Sequence, residues 1–396
     1  MLDAGLRDEV ERLAKAYEAE LIDFRRSLHM HPELGHLEKQ TTAAVVARLS
    51  EAGLSPRVLA SGTGAICDIA GSAGEPPTIG FRGDIDALPL DDAKDVPYRS
   101  RVDGACHACG HDAHTTVVLG VGLVLAELAQ QGLLERSVRL IFQPAEELTP
   151  GGALDVLADG GVAGLREVYA LHCDPRLEAG QIGLLAGAIT AGADRVRVDL
   201  RGPGGHTARP HLTADLVSAL GAVVTELPVL LSRRTDPRAG LSVVWGQVHA
   251  GAVANAIPQS GFAEGTIRCL DVGVWQTAHL VVPELVRAIA EPYGVSVDVD
   301  ARKSVPPCVN DVRAVERLRA SVVDMLGPQA VATTEQSLGG EDFAWVLNEV
   351  PGALARLGVR TPGLTVAPDL HQGAFDVDES AIGVGLAVLC GLALSG

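Results

Sequence analysis

Apolar residues at Leu6, Val10, Leu13, Tyr17, Leu21, Phe24 and Leu28 recur every three or four positions with charges between them, which predicts an amphipathic helix ended by Pro32. A second helix is expected near residues 41–52, and then the pattern changes. Residues 64–69, 78–81, 138–142 and 168–171 are short apolar runs rich in β-formers, and helical stretches such as the apolar helix at 115–128 separate several of them. That alternation predicts an α/β domain with a mixed, mainly parallel sheet and helices on both faces.

From about residue 194 to 302 the rhythm becomes strand (196–200), helix (214–231), strand (241–248), strand (261–270), helix (274–290) and strand (295–299). This is the split βαββαβ order of a ferredoxin-like unit. An α+β domain at 191–304 is therefore expected within a catalytic domain made of 1–190 and 305–396. Pro283 should kink the second helix of the insert. The chain returns through Pro306-Pro307 and supplies a helix at 312–326, the acidic Gly339-Gly-Glu341-Asp342-Phe343, His371 and a last apolar helix at 381–394. That final run is too short and glycine-rich to span a bilayer easily.

Length supports the division, since 396 residues are enough to bury two cores. A balance of 32 basic to 50 acidic residues, formally -18, repels phosphate backbones and anionic lipid, so neither nucleic acid nor membrane is an expected partner. Seven scattered cysteines in a large chain argue against a disulfide framework. Together with a charged N-terminus that shows no export signal, they lead us to expect a cytoplasmic protein.

The chemistry concentrates in Cys106-His-Ala-Cys-Gly-His-Asp-Ala-His114, just before the apolar helix. Cys109 and His111 sit two residues apart at a helix entrance, where the helix dipole and any bound metal favour the thiolate. Three predicted strands also discharge into polar residues: Arg82-Gly-Asp84-Ile-Asp86, Gln143-Pro-Ala-Glu146-Glu147, and His172. In open α/β sheets ligands bind beyond the carboxyl ends of strands, so these groups should meet in one crevice. Cys106 to Cys109 is formally a C-x-x-C redox motif, but that reading uses none of Glu146, Glu147 or His172. A structural zinc site would want four ligands at short spacings, whereas these donors are mixed and distant, which favours a catalytic site. Adjacent carboxylates leaving a strand cannot point the same way, so one of the Glu pair can bind metal while its neighbour moves protons. His29 and His31, at the end of the first helix, read as groups satisfying free carbonyls.

Eight motifs in one order carry a resemblance over nearly the whole chain. They are Leu28-His-Met-His-Pro-Glu-Leu34, Arg82-Gly-Asp-Ile-Asp-Ala-Leu-Pro89, Ala108-Cys-Gly-His-Asp112, Gln143-Pro-Ala-Glu-Glu147, Gly204-Gly-His206, Asn255-Ala-Ile-Pro258, Gly340-Glu-Asp-Phe343 and Leu370-His371. With them the sequence resembles the amidohydrolase branch of the zinc-dependent aminoacylase and carboxypeptidase superfamily, which includes hippurate and indole-acetyl-amino acid hydrolases. The resemblance implies two divalent metal ions held by Cys109, His111, Glu147, His172 and His371, with the Cys109 thiolate bridging and Glu146 as general base and acid. Asp84, Asp86 and Asp112 would orient the imidazoles. His206, Asn255 and Arg268 of the insert would bind the substrate carboxylate or polarise the scissile carbonyl. The insert would also pair subunits into a homodimer, with His206 completing the partner's site, and a hinge near residues 189–194 and 305–307 would close the cleft.

The expected activity is metal-dependent hydrolysis of an N-acyl or N-aroyl amino acid to a carboxylic acid and a free amino acid. A dipeptidase or related metallopeptidase of the same superfamily is the nearest alternative, and a binding protein without turnover is a more distant one. The donor set admits zinc, manganese, cobalt or nickel. Thr207, the stretch His36-Leu-Glu-Lys39 and Gln372-Gly373 depart from the usual motifs, and they bear on substrate preference rather than reaction type.

Overall fold

A computed structural model describes residues 2–395. In chain order it begins with α1 (Ala4–Met30), α2 (Lys39–Glu51), β1 (Arg57–Val58), β2 (Ala65–Ile69), β3 (Ile79–Asp84), α3 (His111–Gln130), β4 (Val138–Gln143), α4 (Ala153–Ala158), β5 (Glu167–Glu178), β6 (Ile182–Leu184) and β7 (Gly187–Thr190). There follow β8 (Gly192–Arg201), β9 (Gly205–His206), α5 (Leu216–Arg234), β10 (Ser242–Ala250), β11 (Ala256–Ile257), β12 (Ser260–Cys269), α6 (Val272–Ala290) and β13 (Ser296–Val305). The chain closes with β14 (Cys308–Asn310), α7 (Val312–Leu326), β15 (Val331–Thr333), α8 (Phe343–Glu349), β16 (Gly352–Arg360) and α9 (Ser380–Leu394).

Two compact units result. The first comprises residues 2–189, Val309–Glu335 and 345–395. Its eight-stranded sheet has the order β1-β2-β4-β3-β5-β16-β6-β15. The pairs β4/β3, β3/β5, β5/β16 and β6/β15 are parallel, and β1/β2, β2/β4 and β16/β6 are antiparallel. The sheet is thus mixed and mainly parallel. Its central strands are buried along almost their whole length, as strands covered on both faces must be.

The helix α3 is apolar all round, which is the composition of a helix enclosed by protein. Gly120 makes this possible, because a Cβ there would stand 2.7 Å from Leu386 of α9 and 2.8 Å from Leu21 of α1. The helix begins at His111, four residues before the apolar periodicity does, so His111 is part of a helix and not of the loop before it. Asp3 and Asp311 cap α1 and α7 by accepting backbone N–H groups of their first turns.

The second unit comprises Thr190–Cys308 and Gln336–Ala344. Its sheet order β10-β12-β8-β13, with β8, α5, β10, β12, α6 and β13 in succession, is the ferredoxin-like arrangement, and α5 and α6 cover one face. The helix α6 runs without a break through Pro283. The segment containing Glu341 and Asp342 groups with this unit, where the sequence boundaries had left it outside. The reason is local: Ala191 N–H donates to the Ser337 carbonyl at 3.0 Å beside a Thr190–Ser337 bridge. Among the described residues α3 and α5 are long and apolar enough to cross a bilayer, and α3 is buried along nearly all of its length.

Candidate metal centre

Strands β3, β4 and β5 lie in register, with Asp84 opposite Gln143 and Arg82 opposite Ala170, so their carboxyl ends share one edge of the sheet. Beyond β3 comes Asp86, and beyond β4 comes the Glu146-Glu147 pair. His172 is inside β5, not beyond it, because that strand runs on to Glu178 opposite β16. Cys109 precedes α3, separated from His111 by Gly110 at φ 87. His371 arrives from the loop after β16 at φ 62, and its N–H donates to the Ala108 carbonyl at 2.8 Å. One backbone hydrogen bond therefore ties the donor from the end of the chain to the cysteine loop.

Donor atoms of Cys109, His111 and His172 all lie within 4.8 Å of one another, as do those of Cys109, Glu147 and His371. A single sulfur is common to both triads. His111, Glu146 and Glu147 form a further group on the same criterion. Cys109 Sγ is 3.5 Å from His172 Nε2, and His371 Nε2 is 3.2 Å from Glu147 Oε1. His111 Nε2 stands 3.9 Å from both Glu146 Oε2 and Glu147 Oε1.

Hydrogen bonds at the far side of each ring decide which nitrogen faces inward. His172 Nδ1 lies 2.8 Å from the Cys173 carbonyl, an acceptor only, so it carries the proton and leaves the Nε2 lone pair for the centre. His111 Nδ1 lies 3.1 Å from Asp86 Oδ1, with the same consequence. Asp86 Oδ2 also accepts the Glu147 N–H at 3.0 Å, so one carboxylate aims two donors. His114 is excluded as a ligand although it is close by. Its Nε2 accepts the Cys173 N–H at 2.8 Å and its Nδ1 donates to Asp84 at 2.6 Å, which uses both nitrogens.

The electrostatics of the cluster suit a cation. Burial, reinforced by Glu147, Glu146 and Asp84, pushes the Cys109 thiol well above its ordinary pKa. Burial opposes charge on His111, yet Asp84 and Asp86 raise it to about 10. Burial and then Arg356 hold His172 well below the usual imidazole range. His111 Nε2 is buried without a hydrogen-bond partner, and the buried Glu147 Oε1 has His371 Nε2 as its close polar neighbour. A divalent cation satisfies such lone pairs and draws the proton from a thiol, so these residues fit a metal.

The three aspartates separate. Asp86 serves His111, Asp84 serves His114 and the Arg82 guanidinium at 2.5 Å, and Asp112 serves a ring outside the centre. Asp112 Oδ2 lies 2.7 Å from His29 Nδ1 and 2.7 Å from Arg25 Nε, while His29 Nε2 is 3.2 Å from Asp92. His29 is therefore a buried imidazolium between two carboxylates, not a cap on helix carbonyls. Burial works against its charge, but Asp112 and Asp92 raise it to about 10. His31 does bond a helix carbonyl, that of Ser27, at 2.9 Å.

In the second unit His206 and Asn255 are neighbours, since His206 pairs with Ala256 and the Thr207 N–H donates to the Asn255 carbonyl at 3.3 Å. Arg268 lies apart from them on β12, half-buried, its pKa lowered by that burial. Sequence reasoning missed Arg25, Arg82 and Gln143, whose Oε1 accepts from Arg82 Nε at 2.9 Å. The available signal for Arg82 and Gln143 was a charged or amide side chain inside an otherwise apolar strand, and for Arg25 a charge on the buried face of α1.

An α/β sheet whose strand edge gathers an open set of sulfur, nitrogen and oxygen donors, with a ferredoxin-like insert, is the construction of a metal-dependent hydrolase. The chain belongs to peptidase family M20/M25/M40, whose model matches residues 80–395. It is 44% identical over 375 residues to a Rhodococcus jostii (strain RHA1) protein named "Putative glutamate--cysteine ligase 2-3", an alignment covering 95% of this chain but 46% of that protein. The chain thus spans about half the length of that relative. It is 36% identical over 365 residues to the N-acetyl-L-cysteine deacetylase of Bacillus subtilis (strain 168), covering 92% of this chain and 85% of the relative. Among solved structures it matches a dinuclear metal binding peptidase of the M20 family from Bacillus subtilis with TM-score 0.83 and 31% identity, covering 96% of this chain and 98% of the other.

Proposed function

We propose that this protein is an amidohydrolase that uses two divalent metal ions to cleave N-acyl or N-aroyl amino acids into a carboxylic acid and a free amino acid. The observation that carries this reading is the Cys109 sulfur shared by two donor triads, with Glu146 beside them. It is supported by the dinuclear M20 neighbour and by the deacetylase among the relatives. Cys109, His111, Glu147, His172 and His371 would hold the ions. When bound, the ions lower the pKa of water and polarise the scissile carbonyl.

Glu146 is the proton carrier. Its carboxylate takes a proton from the attacking water as the new C–O bond forms, and returns it to the amide nitrogen as the C–N bond breaks. Without that second transfer the leaving group would be an amide anion. His206, Asn255 and Arg268 are assigned to the substrate carboxylate and the carbonyl oxygen, where an imidazole and a guanidinium suit negative charge. Zinc or manganese is the assigned metal, with cobalt and nickel also admitted by the donor set.

A cytoplasmic location is proposed because all seven cysteines are free. A homodimer through the insert is proposed because β10 is an edge strand with Val244 and Val248 exposed, a surface suited to pairing.

Glu146→Gln tests the assignment: metal content should stay at two ions per chain while turnover of N-acetyl amino acids is lost. Turnover at the wild-type rate in that variant refutes the role of Glu146. Hydrolysis of free dipeptides in preference to their N-acylated forms would move the enzyme to the dipeptidase reading.

A further inference from the structure

The two carboxylates after β4 are aimed by an unusual backbone. Among the described residues three that are not glycine occupy the left-handed region, and one of them is Ala145, at φ 51, immediately before Glu146. An L-residue stays in that region only where its surroundings hold it there. Both backbone groups of Ala145 are held: its carbonyl accepts the Gly152 N–H at 3.1 Å, and its N–H donates to Glu38 Oε1 at 2.7 Å. Gly152 fits because a Cβ there would lie 2.0 Å from the Pro144 carbonyl oxygen.

Glu38 is the anomaly. It occupies the N-cap position of α2, where an acidic side chain ordinarily accepts its own helix's amides, yet it makes no such bond. Glu33 has taken over that work, accepting the N–H groups of Gln40 at 3.1 Å and Thr41 at 2.8 Å. The Glu38 side chain is fully buried, and its second oxygen, Oε2, has no partner. Burial raises its pKa, with the Ala145 amide among the groups that oppose the shift. A buried carboxyl group released from capping, and reaching across to the amide of Ala145 as well as facing the nearby amides of Glu38 and His36, needs a reason beyond the stability of α2.

We propose that Glu38 is a positioning residue for hydrolysis: by holding the Ala145 amide it fixes the left-handed elbow after β4 and thereby sets where Glu146 and Glu147 point. The proposal rests on the roles given to those two residues above. Loss of the elbow displaces the proton carrier and a metal donor together, while the substrate-binding groups of the insert are untouched.

The experiment compares Glu38→Ala, Glu38→Gln and the double variant Glu38→Ala with Ala145→Gly. Misplacement of a reacting group by about 1 Å costs about 100-fold, so Glu38→Ala should lower kcat by roughly that factor with KM little changed. Affinity of the apoprotein for zinc or manganese, measured against a competing chelator, should fall about tenfold, as it does when groups supporting a metal ligand are removed. Glu38→Gln keeps an acceptor oxygen and should restore both. The added Ala145→Gly should also recover most of both, because glycine adopts positive φ without the Cβ penalty.

Wild-type kcat and metal affinity in Glu38→Ala overturn the proposal. So does a loss that Glu38→Gln repairs but Ala145→Gly does not, since the backbone is then not what Glu38 holds. If Glu38→Ala fails to fold, Ala145→Val, which disfavours positive φ with Glu38 in place, should show the same fall in kcat; wild-type kcat there overturns the proposal. Glu146→Gln run alongside separates the two readings: an active Glu146→Gln removes the function assigned to that residue, whereas an inactive one beside an unimpaired Glu38→Ala removes only the present inference.

Discussion

Replacing Asp86 by alanine tests whether the metal centre is built from its supports inward. The carboxylate accepts the His111 Nδ1 proton at 3.1 Å and the Glu147 N–H at 3.0 Å. Its loss frees an imidazole to turn and a donor backbone to drift. Each bond to a charged acceptor contributes about 1.5–3 kcal/mol, but water replaces part of that, and removal of groups behind a ligand typically weakens metal affinity by about 10–100-fold. This range corresponds to about 1.4–2.7 kcal/mol. Chelator competition on the apoprotein reads the affinity directly, and the rise in Tm on adding metal should shrink in proportion, because ligand stabilisation follows the ratio of free ligand to Kd. Asp86→Asn keeps one acceptor oxygen, enough for one of the two partners, and should fall between alanine and wild type. Metal affinity in Asp86→Ala equal to that of the wild type would refute the reasoning.

Chelator treatment should abolish hydrolysis and lower Tm, with both restored by reloading metal; activity that survives complete removal, verified by elemental analysis, contradicts the proposed chemistry. Arg25→Ala leaves Asp112 buried and short of its guanidinium, with Arg25 Nε lost from 2.7 Å, and should destabilise the fold by about 3–5 kcal/mol in denaturant titration. His29, raised from 6.5 to about 10, stabilises the folded state fully below pH 6.5 and loses that contribution as pH rises towards 10. Wild-type Tm should therefore decline across that window, more steeply than Tm in His29→Gln, and parallel curves would count against the ion pairs. Gly120→Val should be destabilised by about 1–3 kcal/mol through overpacking, as seen in thermal denaturation, because Leu386 and Leu21 occupy the space.

Much of this architecture is legible from periodicity. The change to the βαββαβ rhythm locates the insert, since its hydrophobic alternation belongs to one sheet face covered by two helices. The strand β16 gives no such signal: Gly352, Ala353 and Ala355 are small, Arg356 interrupts the run, and its burial comes from neighbours distant in sequence. Residue 172 marked an apparent end to β5 because polar residues follow it, but Cys173 and Asp174 are buried and the strand runs on to Glu178 beside β16, where tertiary pairing overrides local composition. In the centre, residue type and motif order pointed to five side chains that the fold does bring together. Their supports were less so: Asp112 adjoins His111 yet serves His29, because helix geometry turns consecutive side chains to different faces. Glu38 was invisible for a similar reason, since nothing near it in sequence reveals that its carboxyl group crosses to Ala145.

The order in which the chain is written differs from the order in which the sheet is assembled. β16 is the last strand in sequence yet sits between β5 and β6, and His371 follows it. During synthesis, β5 must wait with an open edge until residues 352–360 emerge, and such unpaired edges invite aggregation. Ion binding by the proposed ligands would be subject to the same delay, since a ribosome stalled short of residue 371 presents one of the two triads without its third donor.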